Sequence, residues 1–431
     1  MTTGRPSEQS LADADRILAR CDQLAGISDT AGVIRRVHLS PEHAQVNEIV
    51  GEWMRQAGLR TWQDAAGNLC ARREGSEPGV PALLLGSHLD TVTDAGRYDG
   101  ILGVMLAISV LERVGADVEA GPVALEIVAF SDEEGTRFGE ALSGSRALAG
   151  AWHPEWWELR DDDGVSMRDA FINFGLDPEK VGEAARAADD LVGYLEAHIE
   201  QGPYLEDADH ALGIVTSIAG ARRFFLTVTG RAGHAGGTPY DRRRDALVGA
   251  SELVVEIERI GTETGVIATV GRVQAFPGGV NVIPGRVELS LDLRAEHDAD
   301  RDAVWQQIVA AAESIVVRRR LEFSASEIYR ADAVTCAQWL QDAVAVGIAA
   351  TDAREPISMW SRAGHDGMAV SDVTDIGMLF VRCAGGVSHH PDESVTREDV
   401  ALALDAFEAA VRVALAAAAA GAAGATSGQD S

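Results

Sequence analysis

The sequence contains few cysteines and few basic residues. Its 431 residues include 4 cysteines, which are widely spaced and form no CxxC pair, so neither a zinc knuckle nor a disulfide scaffold is indicated. Lys and Arg together number 37 against 67 Asp and Glu, which gives a formal net charge of −30. Such an acidic surface repels phosphate backbones, which argues against nucleic acid as a partner.

Long hydrophobic runs are also missing. No run of about 18 apolar residues could span a bilayer, and the first ten residues, MTTGRPSEQS, lack the basic-then-apolar pattern of a secretory signal. Hydrophobic residues still make up 46% of the chain, enough for a sizeable core. We therefore predict a soluble cytoplasmic protein without a membrane partner, long enough for two domains.

The first half of the chain has the pattern of an α/β protein. After two amphipathic helical segments, the apolar runs PALLLGSH and VALEIVAF predict buried strands, and the segment between them, GILGVMLAISVLERV, predicts a helix. Strand, helix and strand in this order predict a mainly parallel sheet covered on both faces. In such sheets, ligands bind beyond the carboxyl ends of the strands.

The pattern changes after about residue 212. Strand-like and helix-like segments then follow in the order β-α-β-β-α-β, which is typical of a ferredoxin-like module; the second strand of this series is predicted over 265–276. From about residue 330 the earlier pattern resumes, with GMLFVRC as a candidate strand. We predict a catalytic domain whose two parts are 1–212 and 330–420, an inserted ferredoxin-like domain for dimerisation or as a lid over 213–329, and a disordered tail over 421–431.

The 11 histidines fall into groups with different surroundings. Five stand in polar stretches without a repeating pattern and are expected at the surface: His38, His43, His153, His210 and His297. Five others lie among Gly, Asp, Glu or Ser near the ends of predicted elements, where functional sites are usually built: His88, His198, His234, His365 and His389.

Polar residues follow the first predicted strand. His88 ends it, and Asp90 stands two residues on, so the imidazole could bind a metal while the carboxylate orients the ring. An HxD triplet is common by chance, however. Asp99, which precedes Gly100 and the next helix, reads on its own as a helix N-cap.

The second predicted strand ends close to two adjacent carboxylates, Glu133 and Glu134. Two carboxylates crowded at a buried strand end repel each other unless a cation neutralises them. One could ligate the cation while the other takes a proton from the attacking water. The alternative is a plain acidic loop on the surface.

His198 and His389 add imidazole to this set of carboxylates. Imidazole and carboxylate without thiolate suit Zn²⁺, Mn²⁺ or Co²⁺. Two such ions bridged by a carboxylate form a recurrent hydrolytic centre.

Eight motifs occur in an order that resembles a known family: GSHLDTV, YDGILGV, SDEEGTRF, HIEQGPYLE, GHAGGTP, FPGGVNVIPG, AGHDG and GGVSHHPDE. From about residue 15 to 415, the chain resembles dinuclear metallopeptidase-like amidohydrolases of the M20 family. The similarity is greatest to the hydantoinase/carbamoylase branch, which includes allantoate amidohydrolase, N-carbamoyl-L-amino-acid hydrolase and β-ureidopropionase. The resemblance implies two divalent ions per subunit, either Zn²⁺ or Mn²⁺, or alternatively Co²⁺ or Ni²⁺.

The resemblance also assigns roles at the metals. It implies that His88 and His198 hold one metal, that Glu134 and His389 hold the other, and that Asp99 bridges them. Glu133 would act as general base and acid, and Asp90 would orient His88. His390 stands beside a ligand, but the motif favours His389.

The same resemblance assigns the residues that contact the substrate: Gln201, His234, Asn281, Arg294, Gly364 and His365. In the family, His234 and Asn281 would reach the active site of the neighbouring subunit. A homodimer with shared active sites is therefore implied.

Two arginines bear on the substrate, a small ureido acid. Arg294 closes LSLDLR, and its planar fork suits a carboxylate, although a strand-end arginine more often pairs with a surface acid. At Arg223 the resemblance suggests Arg in allantoate enzymes and Trp in carbamoylases, with Arg222 directly adjacent.

We therefore predict an amidohydrolase that cleaves a linear ureido C–N bond, specifically an allantoate amidohydrolase that releases ammonia and carbon dioxide. An N-carbamoyl-L-amino-acid hydrolase or a β-ureidopropionase is the alternative. A dipeptidase or deacylase would prefer a carboxylate at position 198, and a non-catalytic scaffold would have lost Glu133 or a ligand.

Overall fold

The computed structural model describes residues 6–427, and the chain divides into two compact units. The first unit runs to Thr216 and resumes over Thr335–Met359 and from Ala363 onward. The second comprises Ser217–Val334 together with Trp360–Arg362. Among the described helices, none combines the length and the apolar character needed to cross a bilayer.

The helices and strands are numbered in chain order. The α-helices are α1 Glu8–Ala25, α2 Pro41–Gln56, α3 Ile101–Ala120, α4 Ser143–Leu148, α5 Met167–Phe174, α6 Tyr204–Asp207, α7 Ala246–Thr264, α8 Asp298–Arg319, α9 Gln338–Thr351, α10 Gly367–Val370 and α11 Arg397–Ser427. The strands are β1 Arg60–Gln63, β2 Leu69–Arg73, β3 Ala82–His88, β4 Ala124–Phe130, β5 Leu191–Ile199, β6 Leu212–Ile218, β7 Gly220–Thr229, β8 Gly233–His234, β9 Ile267–Thr269, β10 Val273–Phe276, β11 Val282–Ile283, β12 Arg286–Ala295, β13 Glu322–Ala331, β14 Val334–Thr335, β15 Ile357–Ser361 and β16 Ile376–Val381.

The first unit is built on a mixed sheet in the order β1-β2-β4-β3-β5-β16-β6-β14, with β15 paired to β6. Its four central strands, β4, β3, β5 and β16, are parallel to one another. The pairs β1–β2, β2–β4 and β16–β6 are antiparallel. The predicted α/β class is confirmed, with the parallel arrangement concentrated at the centre, where α3 connects β3 to β4.

Helix α3 covers the central strands closely. Every residue of β3 and β4 is buried, and α3 itself is buried over most of its length. A Cβ at Gly103 would lie 2.1 Å from the backbone oxygen of Ala197 on β5, so glycine at this position allows the helix to pack directly on the strand.

The second unit has an antiparallel sheet in the order β10-β12-β7-β13, with β9 also paired to β12. Helices α7 and α8 pack with the alternate, buried residues of β7 and β12 in one core. The prediction of one strand over 265–276 was wrong, because β9 and β10 are separate. Three residues between Thr269 and Val273 face two between Leu289 and Asp292, and this extra residue acts as a bulge.

Two histidines expected at the surface are buried, which corrects the prediction for His38 and His43. The Nδ1 atom of His38 bonds the backbone oxygen of Ser131 at 3.0 Å, and Nδ1 of His43 accepts a bond from the N–H of Leu39. One nitrogen of each ring thus has a backbone partner, whereas Nε2 of each has none among the described residues, and both rings lie among the phenylalanines of a local core that includes Phe171.

The last helix extends into the stretch for which we predicted a disordered tail. Helix α11 ends at Ser427, and alanine, the strongest helix former, dominates its final turns. Residues 428–431 of the predicted tail lie outside the described residues.

Candidate metal centre

The sheet brings residues that are far apart in sequence to one edge. His88 is the last residue of β3, Glu133 and Glu134 follow β4 closely, and His198 lies near the end of β5. Because these strands are parallel and adjacent, their carboxyl ends lie side by side. Asp99 lies just before α3 at the same edge, within 3.7 Å of His88.

Asp99 lies at the centre of the cluster and directs its two oxygens to different partners. Its Oδ1 atom is 3.2 Å from Nε2 of His198 and 3.7 Å from Nε2 of His88. Its Oδ2 atom is 3.1 Å from Nε2 of His389, which is itself 3.5 Å from Oε1 of Glu134. Two groups of three potential ligands therefore share Asp99.

The ring orientations fit a metal ion. Nδ1 of His88 bonds the backbone oxygen of Asp90 at 3.1 Å, and Nδ1 of His198 bonds the backbone oxygen of Ile199 at 2.9 Å. Since an oxygen can only accept, each neutral ring carries its proton on Nδ1 and has a lone pair on Nε2, as in metal-binding histidines. Within residues 6–427, the buried Nε2 of His198 has no hydrogen-bond partner, although it faces the carboxylate of Asp99. A cation between Nε2 of His198 and the Asp99 carboxylate would be bound by both groups.

Asp90 contacts residues at the ends of both β3 and β4. Its carboxylate accepts the N–H groups of Glu133 and Glu134 at 3.0 and 3.1 Å and lies 3.5 Å from Nδ1 of His88. Burial tends to raise the pKa of Asp90, but His88 and these N–H groups outweigh it and lower that pKa. Asp90 therefore stays ionised and fixes the turn that carries the glutamate pair.

The cluster holds more negative charge than its environment can readily stabilise. Burial raises the pKa of Glu133 well above its usual value, and burial together with the Asp99 carboxylate raises the pKa of Glu134 to about 7. The bond to Asp99 raises the pKa of His389 to about 9. Divalent ions would compensate the same charge and displace these protons.

His365 is buried beside the cluster, with its ring centroid 4.5 Å from that of His198. Glu196 lies there too, and a ligand atom of Glu196 is within 4.8 Å of one on each of these histidines. Sequence analysis missed Glu196, although it stands two residues before His198 and therefore on the same face of β5. Gly364 is exposed, and a Cβ built on it would lie 4.0 Å from Oε1 of Glu133.

Gln201, predicted to contact substrate, bonds the central aspartate. Its Nε2 donates to Oδ2 of Asp99 at 2.9 Å and lies 3.2 Å from the Ser388 hydroxyl. Gln201 and His389 both have left-handed backbones, with φ of 57° and 54°, a feature common at functional sites. His390 instead is exposed and lies 3.6 Å from Asp392.

The two arginines predicted to bind substrate lie in the second unit, on one face of its sheet. Arg223 is the cross-strand partner of Asp292, and its Nε is 3.8 Å from an Asp292 oxygen. Nη2 of Arg294 donates to the same carboxylate at 2.9 Å, as in the alternative reading of a strand-end arginine, and Nη1 donates to the backbone oxygen of Arg362. Arg222 faces the other way and is buried.

His234 and Asn281 also lie in the second unit, near the short pair β8 and β11. Nδ1 of His234 accepts a bond from the N–H of Gly237 at 3.0 Å, so the neutral ring carries its proton on Nε2. The backbone oxygen of Asn281 accepts a bond from the N–H of Ala235 at 2.9 Å. Both side chains are exposed.

Comparison with known proteins identifies the family of this chain. The sequence profile of peptidase family M20/M25/M40 matches residues 84–413. The chain belongs to this family. The prediction of the M20 family is therefore confirmed, and with it the prediction of a hydrolase that acts on carbon–nitrogen bonds other than peptide bonds.

Individual relatives belong to two kinds of enzyme. An N-carbamoyl-L-amino acid amidohydrolase from Geobacillus stearothermophilus is 39% identical over 394 residues, which is 91% of this M20 chain and 96% of the relative. An allantoate deiminase from Arabidopsis thaliana is 37% identical over 421 residues, 90% of this chain and 80% of the relative. A crystal structure of a hydantoinase/carbamoylase family amidase from Burkholderia multivorans superposes with a TM-score of 0.85 at 30% identity, covering 96% of this chain and 99% of that one.

Proposed function

We propose that the protein is a metal-dependent amidohydrolase that cleaves a linear ureido C–N bond of allantoate and releases ammonia and carbon dioxide. The observation that carries the reaction class is the pair of ligand groups that share Asp99, with the partly buried carboxyl group of Glu133 beside them. The relatives named above support ureido acids as the substrate class.

The proposed centre holds two divalent ions per subunit, Zn²⁺ or Mn²⁺, or alternatively Co²⁺ or Ni²⁺. One group is His88 and His198, the other is Glu134 and His389, and Asp99 is common to both. The donors are nitrogen and oxygen without thiolate, which suits these ions. When bound, such ions supply Lewis acidity and make water a stronger acid at neutral pH.

The remaining chemistry is assigned to protein side chains. Glu133 takes a proton from the attacking water and passes it to the leaving nitrogen, which a carboxylate beside the ligand groups can do. Water adds to the ureido carbon, the C–N bond breaks, ammonia leaves and the resulting carbamate loses carbon dioxide. The Nε2–H of His234 is a suitable donor for the carbonyl oxygen as its charge develops. Gln201, Asn281 and the turn at Gly364 and His365 are proposed to contact substrate.

The two arginines support allantoate as the substrate. Arg294 would bind the carboxylate that every candidate substrate carries, and Arg223 would offer a further donor to the second ureido arm of allantoate. They face the same side of the sheet with Asp292 between them. An incoming carboxylate would compete with Asp292 for the fork of Arg294.

N-carbamoyl-L-amino acids are the second candidate substrates, because the N-carbamoyl-L-amino acid amidohydrolase is 39% identical to the chain, slightly more than the allantoate deiminase at 37%. A β-ureidopropionase would use the same centre on a smaller substrate.

We further propose a cytoplasmic homodimer in which His234 and Asn281 act in the neighbouring subunit's active site. The proposed domains are those predicted from the sequence: a catalytic domain over 1–212 and 330–420 and an inserted ferredoxin-like domain over 213–329. Supporting observations are the division of the chain at Thr216 and Val334 and the antiparallel sheet of the second unit, which packs with the two helices α7 and α8.

Ammonia release from allantoate and from N-carbamoyl-L-amino acids tests the substrate. Arg294→Ala should lower kcat/KM for both by roughly one to two orders of magnitude, since a charged hydrogen bond contributes about 1.5–3 kcal/mol. Arg223→Ala should impair allantoate alone. Arg286→Ala, an exposed arginine on β12, is the matched control. If Arg223→Ala lowered kcat/KM equally for both substrates, the allantoate assignment would be contradicted. A wild-type preference for N-carbamoyl amino acids would contradict it as well.

A further inference from the structure

Glu393 is a buried carboxylate to which the proposed chemistry gives no role. It is 3% exposed. Its Oε1 atom accepts the N–H groups of Tyr98 at 2.8 Å and Asp99 at 3.1 Å, and its Oε2 atom accepts the hydroxyl of Ser388 at 2.9 Å. Glu393 thereby joins two loops nearly 300 residues apart in sequence, one carrying Asp99 and the other His389.

The link continues through Ser388 to one oxygen of Asp99. The Ser388 hydroxyl lies 3.0 Å from Oδ2 of Asp99, the oxygen that faces His389. The other oxygen, Oδ1, faces His88 and His198. Glu393 therefore holds the backbone of Asp99 directly, and through Ser388 it acts on the Oδ2 side of the shared aspartate.

The fit around Glu393 is too tight for it to be a loosely held side chain. A Cβ built on Gly96 would lie 2.1–2.5 Å from three atoms of the Glu393 side chain, so the loop before Asp99 can lie against this carboxylate only with glycine there. His389 has a half-exposed side chain whose Nε2 lies 3.1 Å from Oδ2 of Asp99 and 3.5 Å from Oε1 of Glu134, and it stands in the same loop as Glu393. The position of His389 depends on the loop that Glu393 ties down.

We propose that Glu393 is a positioning residue for the metal centre, setting Oδ2 of Asp99 relative to His389 and Glu134. It would strengthen the binding of the ion held by these three ligands more than the ion held by the two buried histidines. The inference rests on the dinuclear centre of the proposed function. Partners outside the ligand shell typically contribute 10–100-fold to metal affinity.

A Mn²⁺ titration of metal-stripped protein, followed through the free Mn²⁺ signal in electron paramagnetic resonance, tests this. Wild type should bind two ions per chain. Glu393→Ala should weaken one of the two by about 10–100-fold and leave the other within a few-fold. Glu393→Gln should lose less Mn²⁺ affinity than Glu393→Ala, because the glutamine amide oxygen can still accept hydrogen bonds from the two N–H groups. Asp392→Ala, an exposed neighbour, should match wild type.

Unchanged affinities in Glu393→Ala, or equal weakening of both ions, would overturn the inference, because a merely structural role would not distinguish them. If the alanine variant does not fold, the glutamine variant carries the test, and wild-type affinities in it would likewise overturn the proposal. A wild-type protein that binds fewer than two ions would overturn the proposed function as well. Two ions in wild type without a selective effect would count against Glu393 alone.

Discussion

Glu133 and Glu134 are neighbours in sequence, yet their carboxyl groups meet different partners. Glu134 approaches His389 and belongs to the same ligand group as Asp99, whereas among residues 6–427 Glu133 is grouped with His88 and Glu134 alone. Burial raises the pKa of both side chains. The structure therefore supports different roles for two chemically identical residues.

Glu133→Gln should lower kcat by about 10²–10⁴ and leave the bound metal in place, because it removes the proton carrier but not a ligand. Glu134→Gln is the informative contrast and should lose metal. Steady-state kinetics and elemental analysis of both variants measure these effects. Metal loss in Glu133→Gln with retention in Glu134→Gln would reverse the two assignments.

The buried pair His38 and His43 should make the protein sensitive to acid. Burial lowers the pKa of His38 to about 3 and that of His43 to about 4, against about 6.5 in an unfolded chain. Below pH 6.5 the unfolded state binds protons that the folded state does not, so stability falls as pH falls. Between pH 6.5 and pH 4, each histidine should lower the free energy of unfolding by up to about 1.4 kcal/mol per pH unit.

Urea unfolding at pH 7, 6 and 5 measures this dependence. His38→Asn and His43→Asn should each be less stable at pH 7 but lose less stability on acidification. His153→Asn, at an exposed position, should keep the wild-type slope. A wild-type slope in both buried variants would show that these histidines do not titrate as described.

At the level of elements, the parts of the site on apolar strands could be predicted from the sequence. β3 and β4 are largely apolar, despite Glu126 within β4, so the polar residues at their ends stand out, and the structure brings His88 and Glu134 together. β5 was missed because it buries Tyr194 and Glu196, whose side chains satisfy each other at 2.9 Å. With these two polar residues, β5 lacks the apolar run that predicts a buried strand.

Other features depend on contacts that sequence spacing does not show. The link between Glu393 and Asp99 joins residues 294 positions apart in the sequence. The bulge that separates β9 from β10 is defined by its pairing with β12. His38 and His43 stand in a polar stretch, but one hydrogen bond from each ring to a backbone group lowers the free-energy cost of burying it. In each case the deciding partner is distant in the sequence or belongs to the backbone.

The start of α3 provides a prediction at this scale. Gly100 precedes the helix with φ of 70°, and a Cβ there would lie 2.4 Å from Nε2 of His88. Gly100→Ala should therefore displace His88 and weaken Mn²⁺ binding strongly. Gly164→Ala, with φ of 80° and open space around the position, carries the same backbone strain without the clash. It should cost about 1 kcal/mol of stability and leave metal binding unchanged.

Calorimetric Mn²⁺ titration and chemical denaturation of both variants separate the two effects. If Gly100→Ala and Gly164→Ala bound Mn²⁺ with similar affinity, the close approach of the Gly100 backbone to His88 would not be required for metal binding.

For the whole molecule, the proposed dimer makes a prediction about mixed subunits. Each of His234→Ala and Glu133→Gln should be nearly inactive alone. After subunit exchange, half of the dimers in an equal mixture are hybrids with one intact composite site, so about a quarter of wild-type activity should return. Exchange confirmed by mass spectrometry without any recovery would contradict a shared site.

The most direct test of the central claim combines metal content and turnover in one sample. Metal-stripped protein should release no ammonia from allantoate or N-carbamoyl-L-amino acids. Activity should return as Mn²⁺ is added and reach its maximum at two ions per chain, and Glu133→Gln should bind the same two ions without turnover. Undiminished ammonia release from the metal-stripped protein, or no release from any ureido acid with both ions bound, would contradict the proposed function.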